Sequence, residues 1–158
     1  MTRPARNLTV LAADGVVATD RSAFLEATVR QVTTERIITD VETVVEALLD
    51  RERIAPTDVG DRVAVPHATT SAVSNVTVIV SRPATPVRFS DRGEPVSLVV
   101  ILLVPDGETA TYTPVFAAVA RTLLDDEVRE ALREASDPEE LRRQFAHAVD
   151  RELAVMEE

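Results

Sequence analysis

The sequence predicts a single α/β domain, and three observations carry that reading. The aliphatic runs at 76–80 and 98–104 have the length and continuity of strands buried on both faces. Five longer segments repeat apolar residues at helical spacing. The two kinds of segment follow in the order β-α-α-β-β-β-α-α-α, with no Gly/Ser-rich linker, internal repeat or low-complexity stretch to divide them. A chain of 158 residues with 45% apolar content is one domain's worth and can bury a real core.

Residues 8–18 hold two short apolar runs, Leu8–Leu11 and Val16–Ala18, split by Asp14-Gly15, which is a turn signal. A short strand is expected there. From Asp20 to about Thr33, Phe24, Leu25, Val29 and Val32 recur at helical spacing behind an Asp or Ser cap. Asp40 caps a second helix with Val41, Val44, Val45, Leu48 and Leu49 on its apolar face. Its last turn is Asp50-Arg51-Glu52-Arg53, where the helix dipole favours the two arginines. The loop 55–61 leads into the alternating run Arg62-Val63-Ala64-Val65, and Pro66 is expected to end that strand, leaving His67 at its carboxyl end.

Val76–Val80 is a strand closed by Pro83 and Pro86, and Val87-Arg88-Phe89 with Pro95-Val96 forms an edge excursion around the turn 90–93. Leu98–Val104, the most hydrophobic run, is the central strand. A third helix spans about Tyr112 to Leu124, with Val115, Phe116, Val119, Ala120, Leu123 and Leu124 on one face. A short fourth covers Asp126–Ala135, and Ser136-Asp137-Pro138-Glu139-Glu140 opens a fifth with capping side chain, first-turn proline and two acids.

Composition excludes several function classes. Cysteine is absent, so no disulfide, thiolate metal site or cysteine nucleophile exists, and nothing argues for secretion; a cytoplasmic compartment is expected. No run is long enough for a signal peptide or a bilayer span. Against 27 carboxylates stand 17 basic residues, all arginine, and the net charge of -10 disfavours nucleic acid and anionic lipid as partners. The lack of lysine indicates a GC-rich genome or adaptation to high salt. Four glycines leave no phosphate loop or dinucleotide fingerprint, and neither a Gly-x-Ser-x-Gly elbow nor a His-Glu-x-x-His pattern occurs, so no cofactor or metal is expected.

Two histidines remain. His147 lies in the last helix among Ala146, Ala148 and Val149, with no second histidine at helical spacing, which fits a surface or packing role. His67 stands at a strand end, downstream of the arginines that close a helix. Its imidazole is a competent nucleophile toward a phosphoryl group, and a guanidinium such as that of Arg51 can neutralise the phosphoryl oxygens. Such a transfer requires neither metal nor nucleotide. The residues alone leave a second reading open, in which His67 is a structural histidine after a turn proline.

The run Leu48-Leu49-Asp50-Arg51-Glu52, then Thr57 and Gly60, then Val63-Ala64-Val65-Pro66-His67-Ala68, resembles the signature of enzyme IIA domains of the fructose/mannitol family in the bacterial phosphoenolpyruvate-dependent sugar phosphotransferase system. Their nitrogen-regulatory relatives share it. The similarity extends from about Ala18 to Phe145 within a single domain spanning 1–158. It implies a mixed, mostly parallel sheet with helices on both faces. It implies that His67 accepts phosphate from the phosphocarrier protein HPr and passes it to a IIB component, with Arg51 stabilising the phosphoryl charge.

Two departures from the family pattern stand out. The family usually has a second histidine at the start of the third helix, where this chain has Tyr112, a phenol that can donate a hydrogen bond but cannot carry the imidazole's positive charge. Arg62 stands where the family commonly carries glycine, and either adds positive charge or blocks a close backbone approach. Thr57 and Arg62 are candidates for a supporting role around the site. The alternative is a nitrogen-regulatory type of module that binds partner proteins, with phosphotransfer weakened or absent because of Tyr112.

Overall fold

The computed structural model describes residues 8–33 and 36–157, with side chains throughout except at 109–111. Its elements run β1 (Thr9–Val16), α1 (Arg21–Val32), α2 (Val41–Ile54), β2 (Asp58–Gly60), β3 (Val63–Ala64), β4 (His67–Thr70), β5 (Thr77–Pro83), β6 (Leu98–Pro105), α3 (Thr109–Leu124), α4 (Asp126–Glu134) and α5 (Pro138–Met156). One mixed sheet has the order β1-β5-β6-β3-β2, with β4 also pairing β6. β1 and β5 are parallel, as are β6 and its partners β3 and β4, whereas β5–β6 and β2–β3 are antiparallel.

β6 is the centre of the molecule because it has no polar face. Val99, Ile101 and Leu103 point into the layer of α1 and α2, while Leu98, Val100, Leu102 and Val104 point into the layer of α3 and α5. All seven are at most 2% exposed, and each full burial contributes about 1.5–3 kcal/mol against the cost of ordering the chain. Helix starts follow their caps: the carboxylates of Asp20, Asp40, Asp125 and Asp137 each accept a backbone N–H of the first turn, and Pro138 opens α5 where no N–H is needed.

Four local expectations change. Asp14-Gly15 is a bulge inside β1, not a turn: Gly15 takes a φ of 64°, the register shifts between Asp14 and Val16, and the strand continues. The loop before Arg62 holds a strand, β2, that forms a hairpin with β3. The third helix begins at Thr109, three residues before Tyr112. Pro66 interrupts a strand but does not end it. β3 and β4 pair β6 in the same register on either side of Val65-Pro66, and the Pro66 carbonyl accepts from the Leu102 N–H at 2.9 Å, so the pairing continues past a proline that has no N–H to give. His67 therefore opens β4.

The β2–β3 turn is Asp61-Arg62, with φ of 54° and 61°, the left-handed pair of a tight hairpin turn. A left-handed φ at position 62 is a conformation that glycine adopts without strain and arginine does not. Arg62 is held by a solvent-exposed pair with Glu94, Nε to Oε2 3.1 Å, which contributes little. Replacing Arg62→Gly is expected to relieve about 1 kcal/mol of backbone strain and raise Tm by about 2–4 °C in a thermal melt.

Candidate active site

His67 is placed by the interruption in its strand. Its register partner is Leu102, so its side chain lies on the α3 face of the sheet. There the imidazole meets two rings one helical turn apart: Phe116, edge to face at 5.1 Å between centroids, and Tyr112 at 6.4 Å. Tyr112 and Phe116 pack on each other at 5.5 Å. Nδ1 lies 2.9 Å from the carbonyl oxygen of Val65. A carbonyl only accepts, so Nδ1 carries the proton in this bond, and in the neutral ring the lone pair is then on Nε2. Val65 precedes a proline and is confined to extended backbone, which limits where its carbonyl can point.

Arg51 comes from the opposite layer. β2 and β3 end before β4 begins, so beyond β4 the sheet has an open edge where α2 and α3 come together. A cleft of about 370 Å³ opens there, lined by Ala47, Asp50, Arg51 and Ile54 of α2, His67, Ala68 and Thr69 of β4, and Tyr112 of α3. Arg51 Nη1 donates to the carbonyl of Ala55 at 2.8 Å, which holds the guanidinium at the carboxyl end of α2 where the helix dipole favours it. The neighbouring acid Asp50 is paired with Arg53. Ile54, 81% exposed, forms an apolar rim.

Burial pushes the Tyr112 phenol above its usual 10.0, with the Arg51 guanidinium pulling the other way. It is a neutral hydroxyl at physiological pH and can donate one hydrogen bond. The arrangement thus brings a lone-pair nitrogen, a guanidinium and a phenol to one cleft, which suits in-line attack on a small anionic electrophile whose oxygens need donors.

The two supporting candidates lie elsewhere. Thr57 does not line the cleft; it is buried behind it, its N–H 3.1 Å from Glu52 Oε2 and its hydroxyl bonded to Glu52 Oε1. Arg62 is at the hairpin tip on Glu94 and lines no part of the cleft. Three contributors escaped the sequence reading. Phe116 and Ile54 are the rings and rim just described. Glu52 is 1% exposed, and its signal was its place in the stripe Val44, Val45, Leu48, Glu52, which set a carboxylate on the buried face of α2. His147 is exposed on α5. Among the described residues no group of three or more His, Cys, Asp or Glu side chains could hold a metal ion, and no helix is long and apolar enough to cross a membrane.

Residues 11–148 match the model of the family described as "Phosphoenolpyruvate-dependent sugar phosphotransferase system, EIIA 2". The chain is 33% identical over 114 residues to the fructose-specific EIIA component of the PTS system of Haloferax volcanii, covering 72% of this chain and 74% of that protein. The fold is similar to the nitrogen regulatory protein IIA-Ntr of Neisseria meningitidis, with a TM-score of 0.75 and 28% identity over 89% of this chain and 97% of that one. It is also similar to enzyme IIA of the mannitol system of Escherichia coli in its complex with phosphorylated enzyme IIB, with a TM-score of 0.64 and 25% identity over 90% and 96% of the two chains. The match across most of the chain, with the cleft built on its Pro66-His67 element, means that this protein belongs to the EIIA 2 family of the phosphoenolpyruvate-dependent sugar phosphotransferase system.

Proposed function

We propose that the chain is a phosphohistidine carrier of the fructose-type enzyme IIA class, taking phosphate from phospho-HPr onto His67 and passing it to a IIB component. The observation that carries this reading is the orientation of His67, with Nδ1 committed to Val65 and Nε2 left as a base in a cleft lined by Arg51 and Tyr112. The Nε2 lone pair attacks phosphorus, the bond from phosphorus to the donor breaks with its electron pair leaving on the donor, and the Nδ1 proton stays in place. Charge spread over the three equatorial oxygens is met by the Arg51 guanidinium and the Tyr112 hydroxyl. The reverse geometry serves delivery to IIB. A complex of a related IIA with phosphorylated IIB supports that partner class.

A second reading is favoured by one position. Tyr112 replaces a charge-bearing histidine, and the similar IIA-Ntr fold belongs to a nitrogen regulatory protein, so slow phosphotransfer would suit a module that reports phosphorylation state to partner proteins.

Intact mass after incubation with phosphoenolpyruvate, enzyme I and HPr is expected to show one added phosphate that disappears in His67→Ala; no gain in the parent chain would overturn the carrier reading. Tyr112→His is expected to speed phosphorylation by on the order of 10-fold at pH 6, where the new imidazole is charged, and by less at pH 8. An unchanged or slower rate would mean that the phenol is not a weakened stand-in. Since Tyr112 is the only tyrosine and tryptophan is absent, its titration can be followed by absorbance alone. The midpoint is expected above 10.0, and Arg51→Ala should move it higher still by removing a cation that opposes the effect of burial.

A further inference from the structure

Behind the cleft a line of hydrogen bonds runs from a buried carboxylate to the imidazole. Both oxygens of Glu52 accept from one residue, Thr57, through its N–H at 3.1 Å and its hydroxyl. The Thr57 carbonyl accepts from the Val65 N–H at 3.0 Å. The Val65 carbonyl in turn accepts from His67 Nδ1 at 2.9 Å. Every residue between Glu52 and the imidazole is buried: Glu52 is 1% exposed, Thr57 6% and Val65 8%.

The carboxylate is not there for an ion pair. Among the described residues the cation paired with it is Arg21, which stands 3.7 Å away and donates from the same Nη1 to the Phe89 carbonyl at 3.0 Å. A charge taken out of water costs several kcal/mol, and a loosely matched guanidinium repays little of it. What the carboxylate does achieve is orientation, since two acceptors engaging two donors of one residue leave Thr57 a single position. That position matters because Pro66 has no N–H. Around the interruption the segment is held by the Val65 N–H on Thr57 and by the Pro66 carbonyl on Leu102.

We propose that Glu52 is a positioning residue for His67, holding the imidazole in its Nδ1–H tautomer through Thr57 and the backbone of Val65. The proposal rests on the carrier reading for its purpose, and the chemistry follows from the tautomer. A neutral imidazole with the proton on Nδ1 has its lone pair on Nε2, the nitrogen that Val65 does not engage; with the proton on Nε2 that atom has nothing to offer phosphorus. Once Nε2 is phosphorylated, the retained Nδ1 proton makes the ring cationic, and the Val65 carbonyl steadies that charge. In onward transfer the acceptor's lone pair forms the new bond to phosphorus, and the electrons of the Nε2–P bond return to Nε2. The leaving group is then a neutral imidazole, far better than the imidazolate that loss of the Nδ1 proton would require.

The test reads the tautomer directly, by nitrogen NMR of the full chain carrying isotope-labelled histidine, with His147→Gln to assign the signals and the pH held where both imidazoles are neutral. In the parent chain His67 should be predominantly Nδ1–H. Glu52→Gln keeps the shape but cannot accept from both Thr57 donors without turning its own amide toward one of them. The ratio of Nδ1–H to Nε2–H is expected to fall roughly fivefold, as for loss of one well-held hydrogen bond. Thr57→Val, which keeps the N–H and loses the hydroxyl, should fall in between, and Thr57→Ser should restore the parent ratio.

A merely structural carboxylate would lower the melting temperature and leave the ratio alone. A folded Glu52→Gln with the parent ratio overturns the proposal; if that variant does not fold, an unmoved ratio in Thr57→Val does the same. Phosphate uptake by the parent chain is measured alongside. Absent uptake with a responsive ratio would remove the carrier reading and leave tautomer control standing, whereas normal uptake with an unmoved ratio would remove tautomer control alone.

Discussion

The structure depends on one geometric constraint, the unbroken register of β3 and β4 against β6 across the Val65-Pro66 gap. β6 is buried on both faces and cannot shift without exposing one set of its aliphatic side chains, so whatever pairs with it is fixed in register. The gap therefore falls at a defined height in the sheet and sets His67 opposite Leu102 and beneath the Tyr112–Phe116 pair. An ordinary residue at position 66 would add a donor to the ladder. Proline instead confines Val65 and leaves its carbonyl available to the imidazole two residues on.

The same interruption makes the cleft. Because β2 and β3 stop short of β4, the sheet edge beside His67 is open, and a side chain from the α1/α2 layer can reach the same space as one from α3. In a chain of net charge -10 an anion site of the kind proposed needs its acids occupied elsewhere, and both acids in the last turn of α2 are. Asp50 is engaged by Arg53 and Glu52 by Thr57, while the bond that positions Arg51 goes to a neutral carbonyl. Among the described residues no carboxylate pairs with the Arg51 guanidinium, and it lies where the dipole of α2 holds it.

Much of this was legible in the residues, for reasons that can be stated. The helices carry their own start signals in Asp20, Asp40 and the Ser136–Glu140 cluster, and β6 declares itself by seven aliphatic residues in a row. His67 and Arg51 stood out because so little other chemistry is present. What was not legible depends on contacts between distant segments. Asp14-Gly15 looks like a turn locally and is a bulge because β5 pairs past it, and Arg82 of that strand binds Asp14 at 2.8 Å and 2.5 Å. β2 is three residues long and exists only by pairing with β3. Glu52 reads as one more charge in an Arg-Glu-Arg run until the helix face it occupies is counted.

Tyr112 is where local chemistry and family pattern part company, and the geometry decides what its substitution changes. The phenol keeps the position of a ring packed on Phe116 and facing His67, so the shape of the cleft does not depend on a histidine there. A histidine there, as the family pattern would have it, could carry a positive charge that the phenol does not. Burial disfavours the phenolate further, and under the proposed carrier chemistry the positive charge facing a phosphoryl group would come from Arg51 and, once Nε2 is phosphorylated, from the protonated ring of His67 itself. With one cation fewer, the site relies more heavily on keeping the Nδ1 proton where it is. That places the weight on the Val65 carbonyl, and through it on Thr57 and the buried carboxylate that fixes it. A substitution on α3 thereby raises the importance of a residue in the opposite layer, which touches neither the substrate nor the imidazole.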